Sequence, residues 1–260
     1  MTLSVRSVAI PKEHGAWGYV LEPFVLVLVI AFSLDGMYLL FAAFLFFLAH
    51  RPVRLAFSLQ TNSENRLLAI GIAIIYIFSG LVILFIIMPW LPLKAMLLFG
   101  TGLLIMLFYL VFDIYKKKRS LLGEQIVPIA LAFMAINVPV IGNWPDERLI
   151  ALYFLLLARP VSTTFYINAK IRLEKGLDYS AKMVYLSHLI ALFYVIVAAL
   201  LGWIPYSPVL AMFILFYRAV KGIWISAGRK HVAIKKIGMM EFVYGIAFVI
   251  ITAVGYLCDL

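Results

Sequence analysis

Apolar residues dominate the chain in long runs, broken at intervals by short polar or turn-forming groups. Nine runs are each long enough to cross about 30 Å of hydrocarbon with modest tilt: 19–34, 37–59, 67–88, 94–114, 124–142, 148–169, 181–203, 206–226 and 237–257. The first is short and could begin near Gly15. The pattern predicts an all-α fold, a polytopic membrane bundle of about nine helices. One connecting set consists of short turns: Leu34-Asp35-Gly36, Pro89–Pro92, Gly142–Pro145 and Trp203–Tyr206. None could hold a folded domain, so residues 1–260 are expected to form a single integral membrane domain. Residues 1–18 are its cytoplasmic or interfacial N-terminal segment.

Composition agrees with the pattern. Of 260 residues 65% are hydrophobic and 13% charged, and mean hydropathy is +1.08, well outside soluble globular usage. The net charge of +10 matters less than its placement. One set of connections carries Arg6 and Lys12, then Arg51, Arg54 and Arg66, then Lys116–Arg119, then Lys170–Lys182, then Arg229–Lys236. The opposite set has only Lys94 and Arg148. By the positive-inside rule the N-terminus is expected in the cytoplasm, the C-terminus outside, and the protein in the cell (inner) membrane. Cys258 is the single cysteine, so no intrachain disulfide or cysteine metal cluster can form. The first twenty residues lack a signal-peptide pattern, so the first span is expected to remain in the mature protein. Basic loops that hug the bilayer point to membrane lipids as partners, and no nucleic-acid partner is expected.

A faint repeat runs through the chain. Arg51-Pro52-Val53 ends the second run and Arg159-Pro160-Val161 recurs in the sixth, each followed by a phenylalanine (Phe57, Phe165). Lys116–Glu124 is echoed by Lys235–Glu241. An even number of spans separates the members of each pair, which predicts two parallel-topology halves of four helices plus one. Pro52 and Pro160 each free the carbonyl four residues back, so a break or a simple kink is expected there.

Ala158–Lys175 carries the clearest candidate chemistry. Arg159, Thr163, Tyr166 and Lys170 fall on one helical face, and charge that deep in an apolar run normally faces protein or a watery cavity. Charged groups within or beside the spans gather near one end, whereas the other end has Asn137 as its main polar exception. This predicts a polar chamber open to the cytoplasm. Arg51, Arg54, Arg159, Thr163, Tyr166, Asn168, Lys170 and Arg218 are candidates for binding an anion or lipid headgroup. Glu124, Glu241 and His188 are candidate acids or bases, although a histidine so placed is more often packed and hydrogen-bonded than a ligand or base. Lys170, Arg172, Lys175 and Lys221 also fit plain snorkelling to the headgroups. Glu13, His14 and Trp17 fit either a lid over the chamber or an interfacial anchor.

Two stretches, KEHGAWG (Lys12–Gly18) and ARPVSTTFYINAKIR (Ala158–Arg172), resemble the signature segments of the YwiC-like family of bacterial membrane proteins. More distantly, nine spans with polar motifs ending spans two and six resemble the UbiA superfamily of intramembrane prenyltransferases. That resemblance implies a prenyl or quinone-like ligand, and Mg²⁺ held by two aspartate-rich motifs. Arg159, and in the other half Arg51, match the arginine that starts such a motif, but the aspartates are missing. Tyr166, Asn168, Lys170 and Arg172 follow Arg159; Thr61, Asn62, Glu64 and Asn65 follow Arg51. Mg²⁺ needs hard carboxylate oxygens, whereas guanidinium forks bind an anion directly. The expected function is therefore a cytoplasm-facing basic pocket for an amphipathic anion, with Arg51 and Arg159 aimed into it and no bridging metal. A divergent transferase, a transporter of a small anion or amphipathic metabolite, and a non-catalytic assembly factor all stay open on residues alone.

Overall fold

The computed structural model describes residues 4–11, 14–58, 61–115, 121–226 and 233–259. Among them every regular element is helical. The helices are α1 Val5–Ala9, α2 His14–Ile30, α3 Leu34–Phe57, α4 Ser63–Ile87, α5 Leu93–Tyr115 and α6 Leu121–Ala135. After these come α7 Asn137–Ile141, α8 Asp146–Glu174, α9 Ala181–Leu200, α10 Ser207–Ser226 and α11 Ile234–Cys258, with a 3-10 turn at Met88–Trp90. Eight stretches among the described residues are long and apolar enough to span a membrane, and Trp17–Ile30 of α2 is a shorter apolar helix. The chain is a multi-pass membrane protein, a polytopic helical bundle as the pattern predicts.

The boundaries shift where capping outweighs hydropathy. The first turn is not at Leu34-Asp35-Gly36, because those residues open α3. Ser33 caps that helix, accepting from the Gly36 amide at 3.1 Å, and Asp35 lies in its first turn, where a negative charge suits the helix dipole. The fifth run is two helices. Pro139 cannot donate to the Ala135 carbonyl, and the helix breaks at Ile136. Asn137, fully buried, donates its side-chain amide to Phe133 O at 2.7 Å and Met134 O at 3.2 Å. Pro52 and Pro160, by contrast, lie inside unbroken helices.

α8 and α9 end in the same way. Past α8, Leu177 N–H donates to Arg172 O at 2.9 Å and Gly176 N–H to Leu173 O at 3.1 Å. Past α9, Trp203 N–H donates to Ala198 O and Gly202 N–H to Ala199 O, both at 3.0 Å. Each is a Schellman cap, and its glycine takes the positive φ that the motif requires, 65° at Gly176 and 71° at Gly202.

The chain divides into two compact units, Met1–Val20 with Ala31–Asn143, and Leu21–Ile30 with Trp144–Leu260. In the first, α3 packs along α4 and α5 along α6. Small buried residues, among them Ala42, Ala43, Ala69 and Ala73, let the backbones approach closely, as membrane helices require. Helix α1 buries Val8 against Ala69 and Ile72. The chain after it is held by Tyr76, whose hydroxyl donates to Ala9 O at 3.3 Å, and by Arg51, whose Nη1 donates to Ile10 O at 2.8 Å. In the second unit α8, α9, α10 and α11 pack in sequence and α8 also meets α10. Tyr166, Ala169, Val184, Ala219 and Ile223 form an apolar cluster there.

Candidate functional site: a buried network of arginines and carboxylates

In the second unit the polar residues of five helices converge. α8 is 29 residues long, so one unbroken helix carries Arg159, Thr163, Tyr166 and Lys170 on a single face. All four are buried, at 4%, 2%, 6% and 6% exposure.

Arg159 pairs with Glu22 of α2, and its Nη2 donates to the backbone carbonyl of Glu241 in α11 at 3.3 Å. Arg218 of α10 pairs with the Glu241 carboxylate. Its guanidinium lies 4.4 Å from the Tyr166 ring centre and 5.2 Å from that of Tyr244, close enough for cation–π attraction in a desolvated setting. His188 of α9 is fully buried, with Nδ1 2.8 Å from Val184 O and Nε2 3.5 Å from Arg218 Nη2. A carbonyl only accepts, so Nδ1 carries the proton and the Nε2 lone pair faces Arg218. One turn further along α8, Lys170 pairs with Glu174 at 2.6 Å and donates to Gly222 O at 3.3 Å. Lys170 is therefore held inside rather than snorkelling.

Local sequence explains the convergence. Glu241, Tyr244, Gly245 and Phe248 fall at helical spacing on one face of α11, and Arg218 and Gly222 on one face of α10. The two glycines leave room for the partners. A Cβ at Gly245 would collide with the Glu22 carboxylate and approach Arg159 Nη2 to 2.7 Å, and one at Gly222 would collide with the Tyr166 hydroxyl.

Three donors in this network have no hydrogen-bond partner: Arg159 Nε, Arg218 Nε and the Thr163 hydroxyl. A buried donor left unpaired costs about 1–3 kcal/mol, so these are strong attachment points for added acceptor oxygens. The charges of Arg159 and Arg218 are balanced by Glu22 and Glu241.

The remaining candidates lie as follows. Asn168 is half-buried on α8. Arg51, half-buried, serves Ile10 O. Arg54 is exposed and pairs with Asp113 at 3.2 Å; both these arginines belong to the first unit. Glu124, also in the first unit, is half-buried in the first turn of α6. Trp17 packs at a 47° tilt on Phe44 with ring centres 6.1 Å apart. Glu13, Arg229 and the run Lys116–Arg119 lie outside the described residues, and His14 is placed only as the first residue of α2.

Sequence reasoning left Glu22, Tyr244 and Glu174 out of the site. Glu22 carried a usable signal, as the lone acid within the apolar stretch Gly15–Ile30. Tyr244 and Glu174 had one only after helix faces were fixed. The donors do not suit the Mg²⁺ that the distant prenyltransferase resemblance implies. Glu22 and Glu241 are each claimed by a guanidinium, and the positions after Arg159 offer phenol, amide and ammonium groups.

The family model described as YwiC-like protein matches residues 10–138. The match takes in Glu22 and most of the first unit, while Arg159, His188, Arg218 and Glu241 lie beyond it. No curated protein and no solved structure matches the chain.

Proposed function

The chain belongs to the YwiC-like family, and from that premise we propose that it is a membrane protein whose second unit binds the negative headgroup of an amphipathic compound. Arg159 and Arg218 receive the headgroup, Thr163 adds a hydroxyl, and the apolar tail lies among the helices. A prenyl or quinone-like compound bearing phosphate or carboxylate has this chemistry, and the charge asymmetry of the loops supports a headgroup turned toward the cytoplasm.

One observation carries the reading: Arg159 and Arg218 each keep an unpartnered Nε donor while deeply buried. Glu22 and Glu241 hold the guanidinium forks, which keeps the arginines in place without a net buried charge. A phosphate, with more acceptor oxygens than one carboxylate, can take a fork and the idle Nε together. Glu22, Glu241 and His188 all stand against the arginines, so they are the candidate proton carriers if the bound compound reacts.

The test is mass spectrometry of lipid that co-purifies with the protein in a neutral detergent. An anionic amphiphile enriched with the wild type and lost in Arg159→Gln is expected. Equal lipid profiles for the two proteins would remove the reading. A transporter of a small anion is the second reading, favoured by the charge balance of the Arg159–Glu22 and Arg218–Glu241 pairs, since a site without net charge can be exposed to either side at low electrostatic penalty. Uptake of inorganic phosphate into proteoliposomes that vanishes with Arg159→Gln would put it first.

A further inference from the structure

A second polar cluster lies in the first unit, next to an apolar cleft that shares His50 with it. The cleft has a volume of about 60 Å³ and is lined by α3, α4 and α5, with Phe46, Val53, Ile77, Leu107 and Leu110 among its walls and His50 beside them. The His50 ring stacks on Tyr109, with centres 5.3 Å apart at 20°. Its Nε2 is 3.4 Å from the Asp113 carboxylate, which also pairs with Arg54 at 3.2 Å. Just beyond the last wall residues, Val53 on α3 and Leu110 on α5, the Arg54 guanidinium and the Asp113 carboxylate therefore stand side by side. Both are part-exposed, with side-chain exposures of 17% for Asp113 and 47% for Arg54.

Length and apolarity make α3, α4 and α5 membrane spans, so the cleft opens on hydrocarbon. Leu107, on its wall, is 49% exposed, and its neighbours Leu104 and Phe108 are exposed at 68% and 63%. A groove facing lipid tails is filled by a chain, because an unfilled one forfeits dispersion contacts on both sides. What distinguishes this groove is its polar end. An anionic headgroup would meet Arg54 but also the Asp113 carboxylate. A head that carries both signs satisfies both, with its phosphate on Arg54 and its ammonium on Asp113. A primary ammonium donates hydrogen bonds to Asp113, which a quaternary one cannot do.

We propose that the α3–α5 cleft is a binding site for a phospholipid with a primary-ammonium head: one chain in the cleft, phosphate on Arg54, ammonium on Asp113, and His50 positioning that carboxylate. This site is independent of the network in the second unit.

The experiment is native mass spectrometry of the full chain, released from nanodiscs containing equal amounts of phosphatidylethanolamine, phosphatidylcholine and phosphatidylglycerol with identical chains. The wild type should retain the ethanolamine lipid about tenfold over the other two, the ratio that one charge-assisted hydrogen bond supplies. Asp113→Asn should abolish its lead over phosphatidylcholine. Leu107→Trp, which fills the cleft from a lipid-facing position, should reduce retention of all three lipids and remains informative if Asp113→Asn fails to fold. Equal retention of the three by the wild type, or an ethanolamine lead that survives Leu107→Trp, would overturn the proposal and leave an annular lipid only.

Discussion

Arg159 and Arg218, on different helices, meet at Glu241: one donates to its backbone carbonyl at 3.3 Å and the other pairs with its carboxylate. The residue therefore fixes both cations, and Glu22 completes the balance from α2. Four helices are tied through three ion and hydrogen-bond contacts in an apolar setting where each is hard to replace.

Breaking one pair should be far worse than removing both of its members. Glu22→Leu leaves Arg159 charged and buried, and should lower unfolding free energy by about 3–5 kcal/mol. The double variant Glu22→Leu with Arg159→Met should recover most of that loss. Reversible unfolding in mixed micelles or bicelles, run as a double-mutant cycle, reads the coupling. Additive losses would mean that the two side chains do not act as a pair.

The close approaches at α11 predict a contrast between neighbouring glycines. Gly245→Ala pushes a methyl group into the Glu22–Arg159 pair and should destabilise by about 1–3 kcal/mol. Gly238→Ala, on the same helix with nothing within 4 Å of the new carbon, should be neutral or stabilising by up to about 1 kcal/mol. Thermal unfolding of the two variants compares them directly, and equal effects would refute the packing described for Gly245.

Gly202 ends α9 at φ 71°. Gly202→Ala should therefore lower stability by about 1–2 kcal/mol through backbone strain alone, with no change in any ligand-binding measurement. Loss of binding without loss of stability would contradict a purely conformational role.

The helical character, the apolar spans and the buried face of α8 were legible in the sequence, because period and hydropathy are local properties. Arg159, Thr163, Tyr166 and Lys170 needed only helical spacing to be grouped. How the arginines pair was not legible: Glu22, Arg218 and Glu241 lie on separate helices, and which faces meet depends on helix rotation, which a period does not give. Read alone, the arginines looked like an unbalanced basic pocket, whereas packing supplies each with a carboxylate. The break at Ile136 and the early start of α3 were missed for another reason. Both depend on single residues, Pro139 and Ser33, inside runs whose average hydropathy is undisturbed.

Orientation can be read from the lone cysteine. Cys258 is exposed at the end of α11, the end that the positive-inside rule expects outside. A membrane-impermeant maleimide should label it in intact right-side-out vesicles. Labelling only after permeabilisation would reverse the orientation, and with it the side from which the site in the second unit is reached.

The central claim is that Glu22 and Glu241 occupy guanidinium groups which an incoming anion takes over. Titration of the purified protein with dodecyl phosphate in a neutral detergent, with dodecanol as the uncharged control, tests it most directly. If Glu22 competes for Arg159, Glu22→Gln should bind dodecyl phosphate about tenfold more tightly than the wild type, as removing one opposing charge-assisted contact implies, while Arg159→Gln should bind it no better than dodecanol. Unchanged or weaker binding by Glu22→Gln, with Arg159→Gln equal to the wild type, would contradict the account.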